Sequence, residues 1–228
     1  STQSRSSAAS DVYKRQMFAA LTEYLVSQGM NIIAPNVRGS VGYGKTYTHL
    51  DDVEKRLDSV HDIDALVKHL VETGIADKDR IAVMGASYGG FMTLSCVARY
   101  PELWAAGVDV VGMTNLVTFL ENTSEYRRAH RESEYGTLAH DRETLYNVSP
   151  IAKVGDIKAP LMVIHGANDP RVPVTEADMI VENVKSRGIE VSYLRYEDEG
   201  HGLAKRKNQL DCYPQVVAFL KKHLRMED

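Results

Sequence analysis

The chain of 228 residues is long enough to form one α/β domain with a sizeable hydrophobic core. Its apolar share of 43% and charged share of 25% are ordinary for a globular protein, and a net charge of −4 argues against a nucleic-acid or membrane partner. Two cysteines and no visible signal peptide argue against a disulfide framework and favour a cytoplasmic location.

Residues 1–16 lack the periodicity of a structural element. They are rich in serine and alanine, and Ser6–Gln16 resembles a translated adapter used in shotgun sequencing. The alternative is an ordinary disordered tail. We therefore expect residues 1–16 to be a non-native or disordered segment and assign the domain to residues 17–228.

From Met17 onward, helix-like and strand-like segments alternate along the chain. Apolar residues spaced three and four apart predict helices. We expect Ser59 to N-cap one of these helices, with Asp62 at the third helical position, and Thr175 to N-cap another. The predicted helices are residues 18–28, 59–71, 91–98, 175–187 and 210–224, together with much of 113–155. Short apolar runs predict strands at residues 31–35, 80–84, 104–111 and 161–165, and an alternating pattern predicts one at residues 191–196. This alternation indicates an α/β fold with a mostly parallel sheet and helices on both faces.

The segment Gly85–Gly90 reads Gly-Ala-Ser-Tyr-Gly-Gly and lies between a predicted strand and a predicted helix. Strand, G-x-S-x-G and helix is the context of a nucleophile elbow, which exposes its serine, here Ser87, at the tip of a sharp turn. The backbone N–H of Tyr88 would lie at the helix N-terminus, where it can stabilise an oxyanion. The alternative is a glycine-rich turn that contains a serine by chance.

A serine hydroxyl needs a base to become a nucleophile, and eight histidines are present. His201 is the best candidate because it lies between two glycines, directly after the last predicted strand. Its alternative is a solvated loop histidine, and His165 is interpreted as a hydrogen-bonded structural residue. Asp169, in the loop after the strand at 161–165, is the candidate that orients the imidazole, although an aspartate before proline is also common in turns.

The order Ser87, Asp169, His201, with each residue following a strand, is that of an α/β-hydrolase triad. At these positions the chain resembles the catalytic domain of the prolyl oligopeptidase family of serine peptidases. Four stretches carry the resemblance, and together they are more specific than the G-x-S-x-G motif alone. They are residues 35–44, 85–90, 165–173 and 198–202.

The resemblance implies an α/β-hydrolase fold, with Ser87 as nucleophile, His201 as general base and Asp169 as its orienting partner. It also implies that Arg171 hydrogen-bonds a substrate carbonyl, the alternative being a surface ion pair. The expected activity is hydrolysis of short peptides or acyl-peptides, with no metal or organic cofactor. A carboxylesterase with the same triad, or a non-catalytic binding module of this fold, are the alternatives.

Two features of the family are not recognisable in this chain. One is an N-terminal β-propeller, and the other is a strand with an oxyanion loop upstream of the first helix. We therefore expect the C-terminal part of a longer protein, with a fold that lacks its first strands and with residues 31–35 either detached from the elbow strand or paired in a register foreign to the family. On its own, such a chain is expected to be weakly active and either poorly stable or associated as a homo-oligomer.

Overall fold

A parallel sheet of four strands forms the centre of residues 19–226, the part of the chain that the computed structural model describes. Residues 1–16, predicted to be a foreign or disordered segment, lie outside this range. The sheet has the order β1–β2–β3–β4, and every neighbouring pair is parallel. Its strands are β1 (Ala82–Ala86), β2 (Ala106–Val110), β3 (Leu161–Gly166) and β4 (Val191–Tyr196).

Helices connect the strands, as parallel pairing requires. They are α1 (Ala20–Ser27), α2 (Lys45–Thr48), α3 (Asp58–Glu72), α4 (Tyr88–Arg99), α5 (Leu116–Glu121), α6 (Glu125–Tyr135), α7 (Arg142–Val148), α8 (Val174–Ser186) and α9 (Arg206–His223). Two short 3-10 helices, Val53–Lys55 and Pro150–Asp156, complete the described elements. Within the described range, no helix is both long and apolar enough to cross a membrane.

Both faces of the sheet are covered, which confirms the α/β architecture predicted from the alternation. Along β3, Leu161 and Val163 face the larger hydrophobic core, which includes side chains of α4 and α8. Met162 and Ile164 face the other core, which includes side chains of α1 and α9. A strand buried on both sides reads as a continuous apolar run, and for this reason β3 is easy to recognise in the sequence.

The prediction of a strand at residues 31–35 is wrong. This segment pairs with no described strand, and Ile32 and Ile33 are 42% and 51% exposed. In the described part of the chain β1 pairs only with β2, so the segment is detached from the elbow strand, as expected. Apolar β-branched residues suit a strand, but a ladder partner decides whether one forms.

The two predicted N-caps are also wrong. The backbone of Arg56 and Leu57 is already helical, so α3 begins at Asp58 and Ser59 donates its hydroxyl proton to the carbonyl of Arg56 instead. Asp62 does not complete a capping box but accepts hydrogen bonds from Arg38. Helix α8 begins at Val174, with Pro173 at the capping position that was predicted for Thr175.

The sheet topology explains why the candidate site residues can meet. Ser87 follows β1, Asp169 lies in the loop after β3, and His201 lies in the loop after β4. Because all strands are parallel, these three loops lie at the same carboxyl edge of the sheet. Residues that are distant in sequence are therefore neighbours in the fold.

Candidate active site

Ser87 occupies a strained turn between β1 and α4. Its φ of +60° and ψ of −115° lie in a region that non-glycine residues rarely adopt, at a cost of about 1–3 kcal/mol. The turn is held by a 2.8 Å hydrogen bond from the Ser87 N–H to the carbonyl of Val110. A Cβ atom on Gly85 would lie 2.2 Å from the carbonyl oxygen of Gly89, so only glycine allows this approach of strand and helix.

His201 bridges the other two candidate residues. Its Nε2 lies 2.9 Å from Ser87 Oγ, and its Nδ1 lies 2.7 Å from Asp169 Oδ2. The imidazole is only 14% exposed, and the Asp169 carboxyl is fully buried. The structure thus brings Ser87, His201 and Asp169 into one hydrogen-bonded chain, as their positions after three strands predicted.

The two oxygens of Asp169 have different partners. Oδ2 faces His201, whereas Oδ1 accepts the backbone N–H groups of Arg171 at 2.7 Å and Val172 at 3.0 Å. Burial acts to raise the pKa of this carboxyl, but the hydrogen bonds from His201 and the two N–H groups lower it below its usual value. Asp169 is therefore ionised at neutral pH, as an orienting carboxylate must be.

Backbone contacts hold the Asp169 loop against the His201 loop. Asn168 donates its N–H to the carbonyl of Glu199 at 3.0 Å and its side-chain amide to the carbonyl of Glu197 at 2.6 Å. The end of β3 also lies against the His201 loop, since a Cβ on Gly166 would lie 2.2 Å from the carbonyl oxygen of Gly200. The distance from Asp169 to His201 is thus fixed by paired main chains rather than by side chains alone.

Sequence reasoning missed Glu199, which organises the histidine loop. Its buried carboxylate accepts the N–H groups of Ala204 and Lys205 and the side-chain amide of Asn208 at 2.7–3.0 Å. The only indication in the sequence is that Glu199 lies two residues before His201. An exposed loop glutamate at that position would look the same. The partners at 204–208 follow no recognised motif.

His165, predicted to be structural, is fully buried beneath the aspartate loop. Burial lowers the pKa of its imidazole, so the ring is neutral at neutral pH and donates from Nε2 to the carbonyl of Val172 at 3.0 Å. The same nitrogen lies 3.6 Å from Asp169 Oδ2. His165 therefore supports the loop without competing with His201 for the Asp169 carboxylate.

Tyr88 and Arg171 are close in sequence to members of the hydrogen-bonded chain, since Tyr88 follows Ser87 and Arg171 lies two residues after Asp169. Tyr88 is the first residue of α4, so its N–H is one of those that the helix ladder leaves unused, and its side chain is only 2% exposed. Arg171 is exposed, and its guanidinium forms no ion pair with a carboxylate in the described residues. The alternative prediction, a surface ion pair at Arg171, is therefore not found there.

Residues 19–226 contain no group of three or more histidine, cysteine, aspartate or glutamate side chains arranged to hold a metal ion. The chemistry available at the site is that of a hydroxyl, an imidazole and a carboxylate in series. This arrangement can generate an alkoxide-like nucleophile at neutral pH and deliver a proton to a leaving group.

A sequence profile of the Prolyl oligopeptidase family matches residues 16–227. The chain belongs to the prolyl oligopeptidase family. Dipeptidyl peptidase family member 6 of Caenorhabditis elegans is 34% identical over 213 residues, and dipeptidyl aminopeptidase BIII of Pseudoxanthomonas mexicana is 34% identical over 208 residues. These matches cover 91% and 89% of this chain but only 29% and 30% of those proteins.

Solved structures of family members share the fold. The puromycin-hydrolyzing peptidase of Mycobacterium tuberculosis matches with a TM-score of 0.79 and 27% identity over 84% of this chain and 29% of that one. The acylaminoacyl peptidase of Pyrococcus horikoshii matches with a TM-score of 0.76 and 26% identity over 85% of this chain and 32% of that one. The chain thus corresponds to about three tenths of each prolyl oligopeptidase relative, and the α/β-hydrolase fold predicted for it is confirmed.

Proposed function

We propose that this chain carries the catalytic centre of a serine peptidase that hydrolyses short peptides or acyl-peptides through an acyl-enzyme on Ser87. The observation that carries the proposal is the position of His201, within hydrogen-bond distance of both Ser87 Oγ and the Asp169 carboxylate. Membership of the prolyl oligopeptidase family supports a peptide rather than a simple ester as the substrate.

In the first half of the reaction, Ser87 Oγ attacks the scissile carbonyl carbon while His201 Nε2 accepts the hydroxyl proton. The ionised Asp169 stabilises the imidazolium through Nδ1. The carbonyl oxygen becomes an oxyanion, and the N–H of Tyr88 donates to it. Collapse of this intermediate breaks the C–N bond, and His201 gives its proton to the departing amine.

In the second half, a water molecule attacks the acyl-enzyme carbonyl and gives its proton to His201 Nε2. The second tetrahedral intermediate breaks the bond between the carbonyl carbon and Ser87 Oγ. The proton on His201 returns to that oxygen, and the carboxylic acid product leaves. The same imidazole therefore serves as base and acid in each half.

The test compares two classes of substrate at equal concentration, a peptidyl p-nitroanilide and a simple aryl ester. The panel includes anilides with a free amino terminus and with an acetylated one, because relatives are named as a dipeptidyl peptidase, a dipeptidyl aminopeptidase and an acylamino-acid-releasing enzyme. Turnover of anilides supports the proposal. Turnover of esters alone would favour a carboxylesterase, and failure of both with no fluorophosphonate labelling would favour a binding module.

Arg171→Ala is expected to lower kcat/KM for peptides about 10- to 100-fold while changing ester hydrolysis much less. A hydrogen bond from a charged group to a buried acceptor contributes about 1.5–3 kcal/mol, and a small ester lacks the extra carbonyl that Arg171 would bind. Steady-state kinetics on both substrates checks this. Arg187→Ala, at the opposite end of α8, is the control, and equal losses on both substrates in Arg171→Ala would contradict the role.

A further inference from the structure

A fully buried arginine lies next to the elbow, outside the residues that the proposed reaction uses. The Arg56 side chain is 1% exposed and lies between the Val53–Lys55 3-10 helix and α3. Arginine is rarely buried, because moving its charge out of water costs several kcal/mol unless partners compensate. The groups that contact the Arg56 guanidinium therefore show which parts of the fold its burial holds together.

Those partners converge on Tyr88. One guanidinium nitrogen of Arg56 donates to Asp51 Oδ2 at 2.7 Å and to the Tyr88 hydroxyl at 2.9 Å. The Tyr88 hydroxyl in turn donates to the same Asp51 oxygen at 2.7 Å, so the three groups form a closed triangle. Burial raises the pKa of Tyr88, which keeps the proton on the hydroxyl and the triangle intact.

The same guanidinium connects the triangle to helix α6. Its other terminal nitrogen donates to the carbonyl of Glu134 at 2.7 Å, and its carbon lies 4.6 Å from the ring centroid of Tyr135. Glu134 and Tyr135 are the last two residues of α6. Arg56 therefore links α6, the Asp51 segment and the first residue of α4 in one buried cluster.

Tyr88 has two parts with different surroundings. Its ring is held by Arg56 and Asp51 at the hydroxyl and by Phe91, which stacks on it with centroids 5.4 Å apart. Its backbone N–H directly follows Ser87, at the N-terminus of α4. A ring fixed at both its edge and its face restricts rotation of the backbone to which it is attached, and thus fixes the direction of that N–H.

We propose that Arg56 is a positioning residue, which holds the Tyr88 N–H in line with the oxyanion through the hydroxyl and ring of Tyr88. This inference rests on the proposed function, since the N–H has an oxyanion to meet only if Ser87 is the nucleophile. A donor that is fixed before the reaction stabilises the developing charge without reorganising, whereas a loosely held one loses part of that effect.

Two variants test the inference, Arg56→Lys and Tyr88→Phe. Lysine keeps the charge but cannot reach Asp51 and Glu134 with the same planar fork, and phenylalanine keeps the ring and the N–H but removes the hydroxyl. Tyr193→Phe is the matched control, because it removes a tyrosine–aspartate hydrogen bond of 2.8 Å, to Asp178, between β4 and α8. Folding of each variant is checked by its thermal transition.

The readouts are kcat, KM and the inhibition constant of a peptide aldehyde, which forms a tetrahedral adduct with an active-site serine. We expect Arg56→Lys and Tyr88→Phe to lower kcat at least about 10-fold, below the 10²- to 10³-fold loss of a whole donor, with KM within about twofold. Aldehyde affinity should fall in parallel with kcat/KM, whereas Tyr193→Phe should keep wild-type values.

Wild-type kcat in folded Tyr88→Phe, or a lower kcat with unchanged aldehyde affinity, would overturn the positioning role. If Arg56→Lys does not fold, Tyr88→Phe alone decides, since it removes only one oxygen. Fluorophosphonate labelling of the unaltered protein separates this failure from failure of the proposed function. Absence of labelling at Ser87 would refute the nucleophile and with it the inference, whereas labelling with unaffected variants would refute the inference alone.

Discussion

Replacing Ser87 with alanine is expected to lower kcat for a peptidyl anilide by about 10⁴- to 10⁶-fold, which is the scale seen when a triad nucleophile is removed from a serine hydrolase. The loss is large because His201 then has no hydroxyl proton to accept, and no acyl-enzyme can form. KM should change little, since the hydroxymethyl group contributes little to substrate binding. Single-turnover and steady-state kinetics on the purified variant measure both quantities.

Ser186→Ala is the control for this experiment. Ser186 is an exposed residue at the far end of α8, where its hydroxyl donates only to the carbonyl of Asn183. This variant should keep wild-type kcat. If Ser87→Ala retained activity within about tenfold of wild type, a nucleophile other than Ser87 would have to be sought.

Asp109→Asn is expected to stabilise the protein above neutral pH. The Asp109 side chain lies on β2 under the first turn of α4, where a Cβ on Gly90 would lie 2.3 Å from its Oδ1. It is fully buried, and neither carboxyl oxygen forms a hydrogen bond of good geometry within residues 19–226. Burial raises its pKa to about 7, despite the neighbouring N–H of Gly112.

The direction of the pH effect follows from the raised pKa of Asp109. An unfolded aspartate titrates near about 3.9, so between that pH and about 7 the folded state holds a proton that the unfolded state has lost. The free energy of unfolding therefore falls as pH rises through this window and levels off above it. The total loss is on the order of 4 kcal/mol, at about 1.4 kcal/mol per pH unit.

An asparagine cannot ionise, so the variant should not show this loss. Urea unfolding at pH 5, 6.5 and 8 measures the free energy of unfolding of both proteins. As pH rises, this free energy should fall for the wild type relative to Asp109→Asn. Asp156→Asn, at the exposed last residue of the Pro150–Asp156 3-10 helix, is the control and should show no such trend. A difference that is constant with pH, or a variant that is less stable than wild type at pH 8, would contradict the interpretation.

The sequence predicts those parts of the fold that depend on local composition. Strand β3 is buried on both faces and appears as a short apolar run, so the sequence predicts it within one residue. Strand β4 is only partly buried and appears as an alternation, which predicts its bounds of Val191–Tyr196. Strand ends also predicted the meeting of Ser87, Asp169 and His201, because parallel strands bring their following loops to one edge. The strand bounds need only local composition, and the meeting of the three residues needs only the order of the elements.

The remaining features depend on partners that are distant in the chain. Residues 31–35 have the composition of a strand, but the sequence does not show whether a neighbouring strand is there to pair with them. Ser59 looks like an N-cap until the preceding backbone is seen to be helical already. Arg56 meets Tyr88 and Glu134 across 32 and 78 residues, and no local pattern distinguishes a buried arginine from an exposed one.

The most direct measurement is mass spectrometry of the protein after reaction with a fluorophosphonate probe, followed by peptide mapping. Activation of Ser87 by His201 predicts one adduct per chain, on the peptide that contains Ser87, and much slower labelling in His201→Ala. An adduct on another serine, or equal labelling of Ser87 with and without the imidazole, would contradict the assignment of Ser87 and His201 as nucleophile and base.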